Sequence, residues 1–409
     1  HESLYISGGT FETRGTAEVD GDFTLARNAV LSANGDDASF EAFGSTVVDG
    51  GTLRAYWGGE LRLSKATRYL GSSNGNNQHR YLYAEGPGSR IDLSGVQTMV
   101  LGTHYDSRIY VQTRYGGEID LSGVVEINDQ DSGDNRYRAV QVTSVGVGSV
   151  IDLSALEVMR DVRGSSSGGD SLWSSLDAYR GGTLLVPNVK HLEGVYVVTP
   201  RVELPSLEWM YSGQLTADGD TNLPQLSGFS SARVYVQNGG HLNAANANYL
   251  RHSTITLRNG GTADFSSAHQ IDSAGFNVYD GVTLTLPAAT SYKHESTGNS
   301  QHRYLYAEGT GSRIELPNVT EIRGGTHYDS RIYIQARSGG NVSLPSVANI
   351  FDPDGGDNRY RAIQVTSFGP GSVIDLSALE VMRDIRGSSS GGDSLWSSLD
   401  ADRGGTLLV

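Results

Sequence analysis

Ten segments of this chain open on a glycine and run into the same short alternating pattern: GSRIDLSGV at 88, GGEIDLSGV at 116, GSVIDLSAL at 148, GGTLLVPNV at 181, GGHLNAANA at 239, GGTADFSSA at 260, GVTLTLPAA at 281, GSRIELPNV at 311, GGNVSLPSV at 339 and GSVIDLSAL at 371. Ile91 and Leu93, or Ile119 and Leu121, are separated by one polar residue, which is the period of a strand with one buried face. Before nearly every segment stands a second alternating run, such as SRIYVQTRYGG, SARVYVQNGG or SRIYIQARSGG. One unit is therefore two short strands meeting at a glycine corner, followed by a third apolar contact, as Ile127 follows Leu121 and Val124.

The units recur every 20 to 33 residues, and no run of helical period separates them. Strands without intervening helices bury their apolar side only by stacking on the next repeat. The expected fold is an all-β parallel β-solenoid, a right-handed β-helix by the crossover rule. It is elongated, of about 14 turns at that repeat length, and runs through residues 1–409 as one continuous body. Insertions such as RGGTHYD, FDPDGGDNR and RDIRGSSSGGD all fall between the end of one glycine-started strand and the next alternating run. They are expected to share one edge, because successive turns lie about 4.8 Å apart.

A longer repeat lies over the short one. Residues 78–186 return as 301–409, an offset of 223, with QHRYLYAEG, THYDSRIY and GDNRYRA in both copies. RGSSSGGDSLWSSLDA stands at 163 and again at 386 without a substitution. Yet the strand segment GGEIDLSGVVEIN matches GGNVSLPSVANIF at only five of 13 positions. Loops ordinarily drift faster than the elements they join. Matched loops beside drifted strands point either to a surface that something recognises or to recent recombination of that stretch.

Composition removes several classes of function. A formal charge of -15 opposes a sequence-independent nucleic-acid binder, which must neutralise phosphates with cations. Cysteine is absent, so disulfide frameworks and thiolate metal sites are excluded. No apolar run approaches the 18 or so residues of a membrane-spanning helix, so no membrane insertion is expected of this segment.

The repeats resemble the β-helical regions of large bacterial surface and secreted proteins, among them adhesins and autotransporter passengers. That resemblance covers nearly the whole chain and implies architecture, together with an extracellular or bacterial cell-surface location. It implies a structural or adhesive segment of a larger protein, with a polysaccharide-binding or polysaccharide-degrading β-helix as the alternative. The chain stops at GGTLLV, where the first copy continues into PNVKHLEG. This suggests a segment of a longer protein, or open ends that join neighbouring copies end to end or into a filament.

The shared edge carries the candidate recognition residues. In the first copy they are Arg80, Tyr81, Tyr83, His104, Tyr105, Arg108, Tyr110, Arg136, Tyr137, Arg138 and Trp173. Their counterparts are Arg303, Tyr304, Tyr306, His327, Tyr328, Arg331, Tyr333, Arg359, Tyr360, Arg361 and Trp396. By alternation Tyr110 and Tyr333 point outward between inward-facing Ile109 and Val111, or Ile332 and Ile334. Aromatic rings beside arginine can stack on sugars while the guanidinium binds hydroxyls or carboxylates. The same residues can instead pack on one another as an outer ladder. Asp129, Asp131 and Asp134 in NDQDSGDN, and Asp352, Asp354 and Asp357 in FDPDGGDN, place alternating carboxylates in a glycine turn as calcium loops do, without the closing bidentate glutamate. Asp92, Asp120 and Asp152 should stack on adjacent turns, which calls for a neighbouring arginine such as Arg90, or for a cation. No HExxH or GxxxxGK motif occurs. Candidate residues present in two near-copies fit a multivalent surface better than one catalytic cleft.

Overall fold

The structure, a computed structural model, describes residues 2–162, 173–357, 359–384 and 395–409. The described residues contain no helix, and the strands pair in parallel. The chain divides into two compact units, His1–Gln214 and Leu215–Val409.

In the first unit each turn up to residue 193 supplies one strand to each of three sheets. His79–Glu85, Arg90–Asp92 and Thr98–Val100 make one turn; Arg108–Arg114, Glu118–Asp120 and Glu126–Asn128 make the next. Register is kept from turn to turn, so like side chains form columns: Leu82, Val111, Val142 and Leu176 in one sheet, and Ile91, Ile119 and Ile151 in another. All of these side chains are fully buried. Each contributes about 1.5–3 kcal/mol by leaving water, and none could do so in an isolated turn. The second unit repeats the arrangement, with Leu305, Ile334 and Val365 in its corresponding column. Its earlier turns are shorter, and the partners Val234, Ile255 and Phe276 lie 21 residues apart.

Each unit has eight strands in the sheet that contains these long outer strands, so there are more turns than the fourteen expected. The extra turns come from the first 70 residues. They wind as Leu4–Ser7, Thr10–Thr13 and Thr16–Val19 and onward, although they lack the DLSGV signature.

That signature has a local cause. In IDLSGV the aspartate side chain turns back on the chain: Asp92 Oδ1 accepts hydrogen bonds from Ser94 N at 3.0 Å and Ser94 Oγ at 2.7 Å. The next residues close a turn in which Val96 N donates to Leu93 O at 2.9 Å, and both apolar side chains drop into the core. Aspartate and serine favour turns because their side chains offer the backbone such partners. The aspartates do stack, Asp92 on Asp120 on Asp152, and Arg90 sits among them 3.1 Å from Asp120 and 3.2 Å from Glu118.

The glycine corner is set by close approach. A Cβ on Gly117 would lie 2.3 Å from Ala84 O of the preceding turn, and one on Gly340 would lie 2.2 Å from Ala307 O. Only glycine lets the two backbones meet there.

Candidate functional site

Long loops precede the seven-residue strands and are laced to their neighbours. Asn77 N donates to Tyr105 O at 2.9 Å, Asp106 N to Arg136 O at 3.0 Å, and Asp134 N to Thr103 O at 3.0 Å. The second copy reproduces each bond: Ser300 to Tyr328, Asp329 to Arg359 and Asp357 to Thr326. The loops therefore share one edge, as the insertions required. The identical segments at 163–172 and 386–394 lie outside the described residues.

Tyr81 and Tyr110 are register partners on the outer face, and their rings stack at 5.0 Å with 13° between planes. His79 meets Tyr110 edge-on at 5.9 Å, and Arg54 covers Tyr81 from the previous turn at 5.9 Å. One position along, Tyr83 packs against Tyr56 at 5.7 Å and under Arg114 at 6.0 Å. Tyr304 and Tyr333 repeat the stack at 5.0 Å and 13°, with His302 edge-on at 5.8 Å; Tyr306 packs on Tyr279 and under Arg337. The stacked tyrosine faces are thus turned toward ladder neighbours, with hydroxyls and guanidinium groups at the outer rim. Arg108 Nη1 donates to Tyr110 Oη at 3.2 Å, and Tyr306 Oη donates to Glu308 at 2.7 Å. Burial and the Glu85 carboxylate raise the Tyr83 hydroxyl well above the usual phenol range.

The loops add a second layer. Tyr105 meets Tyr137 edge-on at 5.5 Å, and Arg136 lies over Tyr105 at 5.3 Å; Tyr328, Tyr360 and Arg359 do the same at 5.6 and 5.3 Å. His104 Nδ1 lies 3.0 Å from Ser73 Oγ, and His327 Nδ1 lies 3.0 Å from Ser296 Oγ. Ser73 Oγ also accepts from His104 N and Ser107 Oγ, so this serine pins one loop to the next.

Several residues expected at the surface are inside. Arg138 and Arg361 have no exposed side-chain area, and each pairs at 2.9 Å with a buried aspartate, Asp129 or Asp352. Their terminal nitrogens also reach loop carbonyls, Gly102, Ser132 and Gln130 in one copy and Gly355 and Pro353 in the other, while each Nε is buried without a hydrogen-bond partner. Arg80 is also buried, donating to Ser72 O at 3.0 Å, and Arg303 is half-buried. Arg80, Arg138 and Arg361 hold loops closed, while Arg303 donates to His302 O. Alternation places Arg80 inward with Leu82 and Ala84, but Arg138 and Arg361 precede their strands, where no inside-outside period applies.

The acidic clusters do not converge. Asp129 faces Arg138, Asp134 accepts from exposed Arg136 at 2.7 Å, and Asp131 stands exposed in solvent. Asp352 and Asp357 repeat the first two roles, while Asp354 lies 3.9 Å from Arg383. Burial pushes Asp129 up to about 7 and Asp352 to about 6, and hydrogen bonds from Arg136 and Arg359 hold Asp134 and Asp357 down at about 2. Among the described residues no three acidic or imidazole side chains gather as metal ligands would. Trp173 and Trp396 also differ, the first half-buried and the second 59% exposed.

Sequence reasoning passed over Arg54, Tyr56 and Arg114. The outward phase of TLRAY and of RIYVQTR would have found them, since each shares its strand face with a residue already singled out.

This geometry defines an all-β parallel solenoid repeat protein with a duplicated outer face of tyrosine, histidine and arginine. No protein-family model matches the chain, and neither curated proteins nor solved structures provide a match.

Proposed function

We propose that this chain is a structural and adhesive repeat segment of an extracellular surface protein, displaying one recognition face twice. The observation that supports it most is the recurrence of the Tyr81–Tyr110 stack, ring for ring, in Tyr304–Tyr333. A catalytic site needs one converging constellation, whereas two equal faces suit multivalent attachment, in which linked weak contacts add up. Because the tyrosine faces meet one another, recognition on this surface runs through the hydroxyls and the guanidinium groups of Arg54, Arg114 and Arg337. Hydroxyl-rich or carboxylate-bearing glycans offer the matching groups.

The test is binding of the whole chain to a printed array of bacterial, plant and animal glycans. A positive glycan should bind at two sites per chain, and Arg114→Ala or Arg337→Ala should each remove one. Failure to bind any glycan, or a single site unaffected by either change, would overturn the adhesive reading. Cleavage of a bound polysaccharide would favour an enzyme instead.

A further inference from the structure

One line of positions breaks the match between the copies. At the glycine corner of the first unit, successive turns carry Trp57, Pro87, Tyr115 and Val147. At the offset of 223 the second copy has Asp280, Thr310, Ser338 and Pro370. Trp57, Tyr115 and Val147 are 55%, 63% and 84% exposed. The indole lies against the next turn: a Cβ on Gly86 would come 2.7 Å from Trp57 Cε3. Pro87 in turn lies 3.4 Å from the position of a Cβ on Gly116, and Val147 Cγ2 3.0 Å from one on Gly181. The four residues follow one another turn by turn along the corner as a ridge.

The fold does not ask for these residues. Trp57 and Tyr115 sit at φ 49° and 51°, in the left-handed region that bulky side chains rarely adopt, where Asp280 and Ser338 make the same corner at 60° and 52°. Backbone strain in exposed aromatic residues, at positions where polar ones suffice, points to a role outside the fold.

We propose that the ridge binds an extended, uncharged glycan chain, with Trp57 and Tyr115 as the two stacking platforms. The inference goes beyond the reading above, since it rests on corner side chains present in the first unit alone and not on the duplicated tyrosine stacks. The two rings are two turns apart, about 10 Å at strand spacing, and the turn between them presents only Gly86, Pro87 and Gly88. A chain of pyranose rings can therefore lie along the ridge without obstruction. A globular protein partner needs roughly 800 Å² on each side, which a line of four side chains does not supply. An extended peptide would need free backbone amides, and the corner's are used: Trp57 N donates to Glu85 O, Gly58 N to Ser89 Oγ, Gly86 N to Arg114 O, and Gly116 N to Ser149 Oγ. The net charge of -15 disfavours a polyanion.

Titration calorimetry of the full chain with cellohexaose, xylohexaose and chitohexaose tests this. At least one should bind, and W57D/Y115S, which installs the second copy's residues, should weaken it at least about tenfold as two lost aromatic platforms imply. The melting temperature of that variant should stay unchanged or rise, because the strain is relieved. Tyr110→Ala/Tyr333→Ala should leave the hexasaccharide affinity intact, so failure of the duplicated face and failure of the ridge are told apart. No binding of any of the three sugars, or equal affinity in W57D/Y115S, would overturn the proposal. So would a variant that changes only sedimentation, since the ridge would then be a contact between protein chains.

Discussion

The two copies share the loops and the bonds that lace them, and differ most along the short strands and at the glycine corners. Gly117 and Gly340, the cap Asp152–Ser154 with its counterpart Asp375–Ser377, and the buried pairs Asp129–Arg138 and Asp352–Arg361 recur, whereas the caps of Asp92 and Asp120 give way to Glu315 and Ser343, each followed two residues on by proline. The corner side chains are free to change, and Trp57 has become Asp280. Buried positions have changed as well, among them Val111 to Ile334 and Thr113 to Ala336. Just ahead of the duplicated stretch, Gly71 stands where the second unit has His294, buried with Nε2 2.7 Å from Gln301 O. Nearby, Arg80 donates to Ser72 O whereas Arg303 reaches only His302 O. The comparison separates side chains that hold a loop in place from side chains that merely decorate it.

The largest expected effect breaks a shared feature. Gly340→Val forces a side chain into Ala307 O and should cost more than about 3 kcal/mol, as other steric insertions into packed structure do. Gly239→Ala, where nothing lies within 4 Å of the new carbon but φ is +76°, should cost only about 1 kcal/mol. Urea unfolding of each variant measures both. Equal losses would mean that backbone conformation, and not contact between turns, selects glycine.

Arginines two residues apart give the next contrast. Arg138→Met strands a buried carboxylate and should cost about 3–5 kcal/mol, much of it regained with Asp129→Leu. Arg136→Met, on an exposed pair, should leave stability nearly unchanged. Similar losses at the two positions would contradict the burial assigned to Arg138.

Tyr110→Ala and Tyr333→Ala should each destabilise by about 1 kcal/mol, with indistinguishable values, because the two stacks share one geometry. Thermal melting of the single variants checks this, and a difference well beyond measurement error would show that the copies are not equivalent.

The smallest effect is on pH dependence. Burial lowers His294 from 6.5 to about 4, so the folded state binds fewer protons than the unfolded one between those values, and this contribution to stability is lost as pH falls through them. Burial raises Asp129 and Asp352 above 3.8, so their contribution is lost as pH rises toward about 7 and 6 respectively. The carboxylate slope belongs to both copies and the histidine slope only to the second. Over the acid part of a melting profile taken from pH 4 to 7 the two carboxylates outweigh the one histidine, so stability falls as pH rises, and His294→Gly, which removes the opposing contribution, should steepen that fall. An unaltered slope there would remove His294 as a contributor.

Much of this was legible in the sequence. Period-two alternation fixed which of Ile109, Tyr110 and Val111 faces the core, and the position of the insertions fixed the common edge. The stacked aspartates and their arginine followed from register alone. The burial of Arg138 and Arg361 was not legible, because a loop has no period and an Arg-Tyr-Arg run reads the same whether its guanidinium groups point in or out; that of Arg80 was, since it shares the inward phase of its strand with Leu82 and Ala84. Arg136 and Arg138 differ only in that the second reaches the carbonyls of the turn it closes. The mutual packing of Tyr81 and Tyr110 was foreseen as one of two arrangements, and distinguishing them required ring orientation, which composition does not carry.

The absence of cysteine allows a direct test of the winding. Gln112 and Thr143 are outward register partners one turn apart, as are Gln335 and Thr366. Cysteines placed at either pair should oxidise to a disulfide in the folded chain, since parallel neighbours stand within the roughly 4.4–6.8 Å that a disulfide spans. Cysteines at Tyr83 and Thr143, two turns apart, should remain reduced. Closure of the two-turn pair, or failure of both one-turn pairs, would contradict the parallel coil on which both faces rest.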